Sequence, residues 1–421
     1  MENREIKIGI FGFGGRGNSL VAPLLSENMG AQITTIIDTD IPRAKFYMQE
    51  RIEKGDITSE EAAQVRYVGS FTELKKGEVD LLLMTASEKI RTDFMDQAVD
   101  TGAHLFIEKG ISHHYEGVKK VVAALKRLRP GQQAMMGFNL RYHPTFLEMK
   151  QLIESGKLGR ILYVHYIERL SQRHGSGFYR RWHRDIHKSG GMLITKSCHD
   201  FDAINYFLGK YPQQVFSDQV SLFFGLGGED ARAYCHTCDR TADCAFDVLK
   251  LESSRENRLR FRSVFTNKDA VSTDGYTHDA CVWRKDTELH DTNTILFRYP
   301  GGVRANYTQV LYSPNESRDV TIFGDRGTIF LREKEPFLEY RDFWNQQIYK
   351  IAVKGNTDAH GGADTNMIRA LYRLIFHGDQ PRGTVRDGVA ALCMAEGAYA
   401  SARQEAWVDV EALTTPLLDL L

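Results

Sequence analysis

The stretch Lys7-Ile8-Gly9-Ile10-Phe11-Gly12-Phe13-Gly14-Gly15-Arg16-Gly17-Asn18 runs from a β-type apolar segment through a glycine cluster into a helical pattern. Its glycines fit G-x-G-x-x-G. The helical pattern covers residues 18–27, with Leu20, Leu24 and Leu25 in helical spacing, and a second strand rich in β-branched residues follows at 32–37 and ends at Asp38. In a strand–turn–helix unit each residue has a physical task. Gly12 permits the tight turn, Gly14 lets the backbone approach a pyrophosphate, and Gly17 allows close helix–strand packing. Phe13, Gly15 and Arg16 complete the loop, and the helix N-terminus offers N–H groups and a positive dipole end to phosphates. Asp38 is placed to accept hydrogen bonds from ribose hydroxyls and to repel a 2′-phosphate, so the expected cofactor is NAD rather than NADP. Arg16 and Arg43 either touch phosphate or adenine or are solvated. A purely structural glycine turn is the competing reading, and the βαβ context weighs against it.

Outward from this unit, residues 43–54 are helical and 79–84 form a nearly pure apolar strand, suited to a sheet buried on both faces. Then follow a helix at 92–101, a strand at 104–108, a helix at 115–128 and a strand at 133–137. This alternation predicts an α/β unit, a doubly wound parallel sheet of Rossmann type, over residues 1–140. After Pro144 the pattern changes. A helix at 146–155 and a turn at 156–159 precede half-solvated, mostly antiparallel strands at 160–169, 215–224, 259–265, 294–299, 303–310, 318–323 and 328–332. Residues 141–421 therefore read as an α+β domain for substrate and assembly, with an insertion at about 225–290. Its helical tail at 364–404 is expected to pack back near the first domain.

Of 421 residues, 42% are hydrophobic and 26% charged, and 54 Lys and Arg balance 55 Asp and Glu for a net charge of −1. A nucleic-acid partner would call for a basic excess that is not there. No apolar run reaches the roughly 18 residues of a membrane helix. Met1-Glu2-Asn3-Arg4-Glu5 leads directly into the first strand, which leaves no expected signal peptide. Six Cys make no disulfide scaffold, so a cytoplasmic protein with reduced thiols is expected.

With Glu108-Lys109 read, the chain resembles, essentially end to end, the glucose–fructose oxidoreductase / inositol dehydrogenase / MocA family. The likeness rests on the glycine loop, on Glu108-Lys109 and on Gly137-Phe138-Asn139-Leu140-Arg141-Tyr142-His143-Pro144. It continues through Gly156-Lys157-Leu158-Gly159, through Gly190-Gly191-Met192-Leu193 leading into His199-Asp200, and through Ala395-Glu396-Gly397-Ala398-Tyr399. The resemblance implies a Rossmann domain followed by an open, mostly antiparallel sheet, with a nicotinamide cofactor between the domains. It also implies sugars, sugar derivatives or cyclitols as substrates and oligomers built through the open sheets. The expected cofactor contacts are completed by Thr85, Glu108, Lys109 and Asn139, and Tyr142 joins the expected substrate contacts.

Hydride transfer from a secondary alcohol needs a base for the hydroxyl proton and a cation or donor for the developing alkoxide. Lys109 matches the Lys of the family's Glu-Lys-Pro motif, with Gly110 in place of Pro, which predicts a freer loop. His199 matches the family His that contacts substrate and moves a proton. Four residues earlier the dehydrogenase branch often has Asp, and here Thr195 stands beside Lys196. That departure predicts Lys109 and Lys196 converging on substrate oxygens. A helix through Lys196, His199 and Asp202 would put all three on one face, with Asp202 toward substrate. Arg181, Trp182 and His183 suit a sugar, Trp stacking on C–H faces and the donors taking hydroxyls; covering the cofactor is the plainer alternative.

Cys235-His236-Thr237-Cys238, Cys244 and Cys281 could make a structural zinc site, but Cys281 also reads as an isolated core residue, and no metal is expected. The leading function is an NAD-dependent dehydrogenase of a sugar, glycoside or cyclitol. The alternative is a redox glycosidase that oxidises C3, eliminates the aglycone, adds water and reduces back with no net NADH. A non-enzymatic NAD(H) sensor is disfavoured because both Lys109 and His199 are present. The strand at 303–310, with Tyr307 and Val310 among its apolar positions, predicts an exposed face and a homo-oligomer with two-fold interfaces.

Overall fold

The structure is a computed structural model and describes residues 5–26, 30–248, 278–353 and 361–421. The strand expected at 259–265 lies outside the described residues. The first sheet contains β1 (Ile6–Phe11), β2 (Ala31–Ile37), β3 (Arg66–Val68), β4 (Leu81–Met84), β5 (His104–Ile107) and β6 (Ala134–Met136). Their order is β3-β2-β1-β4-β5-β6, all parallel, which is the doubly wound arrangement. Leu81, Leu82, Leu83 and Met84 are all fully buried because helices cover both faces. The helix expected at 18–27 is two short pieces, Gly15–Ser19 and Val21–Ser26. The one expected at 92–101 divides into Glu88–Asp93 and Met95–Asp100.

The second sheet contains β7 (Ile161–Ser171), β8 (Gln214–Val220), β9 (Thr292–Arg298), β10 (Arg304–Ser313), β11 (Ser317–Gly324), β12 (Gly327–Arg332), β13 (Phe337–Asp342), β14 (Ile348–Ala352) and β15 (Val408–Asp409). The order is β14-β13-β12-β11-β7-β10-β9-β8-β15, antiparallel except for the β7–β10 pair. Residues alternate in burial along β10, with Ala305, Tyr307, Gln309 and Leu311 inward. Tyr307 and Val310 therefore point to opposite faces, which corrects the expectation that both lie on the open one. Tyr307 is fully buried under the Cys198–Leu208 helix, its hydroxyl within hydrogen-bond distance of Glu168, Ser197 and Asp200. The open face carries Ile167, Thr308 and Phe323 instead, Phe323 being 40% exposed.

The helix Ala363–His377 lies against the first sheet. Met367, Ile368, Leu371 and Tyr372 share one apolar core with Ile8, Ile10 and Phe13, and the Tyr372 hydroxyl donates to the Leu24 carbonyl. The helix Val385–Gln404 packs on β8 and on Cys198–Leu208. These contacts fix the carboxyl ends of β1, β4 and β5 against the second domain. Among the described residues no helix is long and apolar enough to cross a membrane.

Candidate active site

The glycine loop leaves β1 through Gly12 at φ +86°, a conformation that favours glycine. A Cβ there would stand 2.4 Å from the Ala86 backbone, and one at Gly17 would stand 2.6 Å from the Gly12 carbonyl oxygen. Gly14 and Gly15 face open space. Thr85 Oγ1 donates to the Gly12 carbonyl at 2.8 Å and closes the turn from the β4 side. At the end of β2, Asp38 accepts from the Phe13 amide at 2.8 Å and the Asp40 amide at 2.9 Å, and Arg43 stands 3.9 Å away. Burial lifts the Asp38 carboxyl above its ordinary range, opposed by those amides and by Arg43. An open backbone cradle at a helix start, backed by a ribose-height carboxylate, fits a nicotinamide dinucleotide.

Arg16 leaves the loop and crosses to the other domain. It donates to Glu108 at 2.9 Å and pairs with both oxygens of Asp364, while Asn139 Nδ2 reaches Asp364 at 3.2 Å. The carboxylates hold the Arg16 guanidinium charged against its burial. Glu108 and Asn139 are thus brought to the cradle's rim together, by an acidic residue from the C-terminal helix that carries no local sequence signal.

Lys109 follows β5, and its Nζ donates to the Thr195 carbonyl at 2.5 Å. The loop is held rather than loose. Buried Arg91 donates to the Ala86, Lys109 and Gly110 carbonyls, and a Cβ on Gly110 would come within 3.0 Å of the Ile194 carbonyl oxygen. Glu88, also buried, accepts from Thr195 Oγ1 at 3.2 Å and leaves Oε2 without a partner. A carboxylate therefore stands beside position 195 although the sequence has Thr there. Burial raises the Glu88 carboxyl, opposed by Arg91 and Lys109.

The expected single helix face of Lys196, His199 and Asp202 is not formed. Lys196 lies in the break between helices Met192–Thr195 and Cys198–Leu208, with φ −123° and ψ −57°. Its ammonium stands 3.4 Å from Glu168, which Arg318 and Gln309 also hold at 2.8 Å. Against its burial, Lys196 and Arg318 keep Glu168 well below the ordinary carboxyl range. His199 is partly exposed, packs edge-on to Phe138, and has a buried Nδ1 with no hydrogen-bond partner. Burial, with Lys109, Arg318, Lys196 and Arg16 nearby, pushes the imidazole well below its ordinary range and keeps it neutral.

Asp202 turns the other way. It is fully buried with both oxygens on Arg141, at 2.8 and 2.7 Å, and Arg141 also pairs with Asp387 at 2.8 Å. With no exposed surface and both oxygens turned to Arg141, Asp202 pins the domain junction and does not face substrate. Tyr142 is likewise withdrawn, 3% exposed, its hydroxyl accepting from the Arg382 amide at 2.9 Å. Arg181, Trp182 and His183 follow the Gln172–Arg180 helix, which its own Ser171 caps. Trp182 stacks on His183 with centroids 3.9 Å apart. Burial, then Arg181 and Lys109, push His183 well below its ordinary range, and its Nδ1 is buried without a partner. His174, which accepts or donates at 2.9 Å with Glu316, belongs to the same cluster and was not expected from sequence.

Two family models match the chain. One is described as "Oxidoreductase family, NAD-binding Rossmann fold", over residues 6–138, and the other as "Oxidoreductase family, C-terminal alpha/beta domain", over residues 150–410. Among curated relatives, the Bacillus subtilis protein YteT, named only as a candidate oxidoreductase, is 23% identical over 86% of this chain and 87% of its own. Inositol 2-dehydrogenase 2 of Saccharopolyspora erythraea is 28% identical over 49% of this chain and 54% of its own. Among solved structures, a levoglucosan dehydrogenase complexed with NADH and levoglucosan superposes with a TM-score of 0.72 at 14% identity, over 97% of this chain and all of that one. A myo-inositol 2-dehydrogenase from Lactobacillus plantarum gives 0.66 at 16% identity, over 96% and 99%. The chain belongs to the Gfo/Idh/MocA oxidoreductase family, and its Rossmann domain is one that binds a nicotinamide dinucleotide.

Proposed function

We propose, with that membership as the premise, that the chain is an NAD-dependent dehydrogenase acting on a secondary hydroxyl of a sugar, glycoside or cyclitol. The observation that carries the reading is the meeting of Lys109, at the carboxyl end of β5, with the Thr195 carbonyl just before Lys196 and His199. It puts an ammonium, a neutral imidazole and the mouth of the dinucleotide cradle in one cleft. The relatives named inositol dehydrogenases support a polyhydroxylated ring as substrate.

The nicotinamide, when bound, supplies the hydride acceptor. Everything else falls to side chains. Lys109 polarises the reacting hydroxyl and stabilises the alkoxide. His199, kept neutral by burial and by the cations near it, accepts the hydroxyl proton. Lys196, braced on Glu168, holds a second substrate oxygen. Trp182 and His183 offer a ring face and a donor to the sugar. Asp38, held by one amide on each carboxylate oxygen, receives ribose hydroxyls on its remaining lone pairs and selects NAD over NADP. Residues 1–140 form the cofactor domain and 141–421 the substrate domain of a homo-oligomer assembled through the open sheet face. Six cysteines in 421 residues make no disulfide scaffold, which goes with a reducing, cytoplasmic setting.

The test is a panel of free sugars, cyclitols and aryl glycosides, following both nicotinamide absorbance and aglycone release. Stoichiometric NADH with a free sugar or cyclitol is expected. Aglycone release with no net NADH would overturn the dehydrogenase reading in favour of a redox glycosidase.

A further inference from the structure

Four of the chain's six cysteines, Cys235, Cys238, Cys244 and Cys281, line a single cavity of about 170 Å³. They reach it from two separate segments. Antiparallel pairing joins the segments: the Cys235 amide donates to the Asp279 carbonyl, the Cys281 amide donates to the Ala233 carbonyl, and Tyr234 bridges Ala280. Asp279 is fully buried and ties the C-x-x-C loop down further, accepting from the His236 amide at 2.8 Å and meeting its ring at 2.7 Å. Within the loop the Arg240 amide points at Cys238 Sγ at 3.4 Å, and the Cys238 amide at the Cys235 carbonyl. Arg180 Nη1 stands 3.1 Å from Cys235 Sγ and places a full cation at the cavity wall.

We propose that Cys235, Cys238, Cys244 and Cys281 form a structural zinc site. The donor set is all sulfur, which suits tetrahedral zinc and offers nothing to a hard cation. As placed, no three metal-ligating side chains among the described residues are close enough to grip an ion. All four cysteines line the one cavity, and zinc entering it would draw their sulfurs to the roughly 2.3 Å of a Zn–S bond. Binding is an exchange without redox: one Zn²⁺ enters, four thiol protons leave, and the resulting double negative charge is offset by Arg180 and by the Arg240 amide.

The site has a consequence for the cleft. Arg180 ends the helix that leads into Arg181, Trp182 and His183, and it also donates to the Phe246 carbonyl beside Cys244. Phe246, Trp283 and Phe224 pack between the thiol loop and Tyr179 of that helix. Zinc thus braces the segment that presents Trp182 and His183.

The test uses the full chain, grown with added zinc and purified without chelator. Elemental analysis should give about one zinc per chain. Titration with an organomercurial should release that zinc as the four thiols react, read with a metallochromic dye. Cobalt(II) exchanged into the same protein should show thiolate-to-cobalt charge-transfer absorption. Cys238→Ser combined with Cys244→Ser should lower zinc content at least tenfold, whereas Cys393→Ser should not change it. Less than a tenth of a zinc per chain in the unaltered protein overturns the proposal. So does iron with inorganic sulfide, a disulfide among these four cysteines, or undiminished zinc in the double variant. These readouts do not depend on any substrate, so their failure leaves the dehydrogenase reading to be judged on its own.

Discussion

Replacing Asp202 with Ala separates a structural pin from a substrate contact. Arg141 gives Asp202 two hydrogen bonds, at 2.8 and 2.7 Å, from a side chain only 8% exposed. Breaking a buried ion pair by removing one partner costs about 3–5 kcal/mol, because the other charge is left without compensation. Here Asp387 at 2.8 Å and the Arg382 carbonyl still hold the guanidinium, which puts the loss near the lower bound, about 3 kcal/mol. Asp202→Asn keeps one acceptor and should lose roughly 1–2 kcal/mol. In thermal melts the Ala variant should fall by roughly 3–5 °C. Below its transition it should retain NAD affinity and a KM for the sugar within about twofold, since Asp202 is fully buried away from the cleft. A variant as stable as the parent with a sugar KM raised tenfold or more would refute the pin and return Asp202 to the substrate pocket.

Three further outcomes follow from the same geometry. Asp38→Ala should relax the preference for NAD and admit NADP, read from the two KM values; tighter NADP than NAD binding by the unaltered protein would remove Asp38 as selector. His183 and His199 lie well below their ordinary range and His278 is pushed down to about 4, burial being the first cause each time. The unfolded chain binds those protons near pH 6.5, so their contribution is full above that pH and is lost as pH falls from about 6.5 toward 4, while the carboxyls of Asp200 and Asp202, raised by burial to about 7, act in the opposite sense; ring signals of these histidines that titrate near pH 6.5 in the folded protein would contradict it. Ile167 and Phe323 on the open sheet face should be covered by a second copy, so Ile167→Arg should convert an oligomer into monomers by light scattering, and a parent already monomeric at micromolar concentration would end that proposal.

The parts of the fold that depend on neighbours in sequence were legible. The β1 segment, Gly12–Gly17 and Asp38 need only a strand, a turn and a helix in succession, and they stand as the spacing requires. The short β3 escaped because three residues carry almost no periodicity. Tyr307 and Val310 differ by an odd number, so strand parity alone assigns them to opposite faces. Lys196, His199 and Asp202 came apart because the chain breaks between two helices at Lys196, leaving Asp202 to meet Arg141 rather than the cleft. Asp364, Glu88, Arg91 and Glu168 were hidden for a different reason. Each reaches the site from a distant element, Asp364 meeting Arg16 across 348 residues, and a lone charged residue in a helix or strand gives no sign of what it will face. The Cys281 contact with the C-x-x-C loop is of the same kind: the antiparallel pairing that joins them is a tertiary fact.

In the proposed mechanism His199 takes the proton while Lys109 steadies the oxygen, in a cleft between the two domains. Single-turnover reduction of bound NAD by the sugar or cyclitol identified in the panel tests it most directly, comparing the parent with His199→Ala. Loss of a general base lowers the rate about 10²–10⁴-fold, or roughly 3–5 kcal/mol of barrier. A loss on that scale is expected with NAD affinity unchanged, because Gly12–Gly17 and Asp38 are untouched. A His199→Ala protein that reduces bound NAD at nearly the parent rate would contradict it.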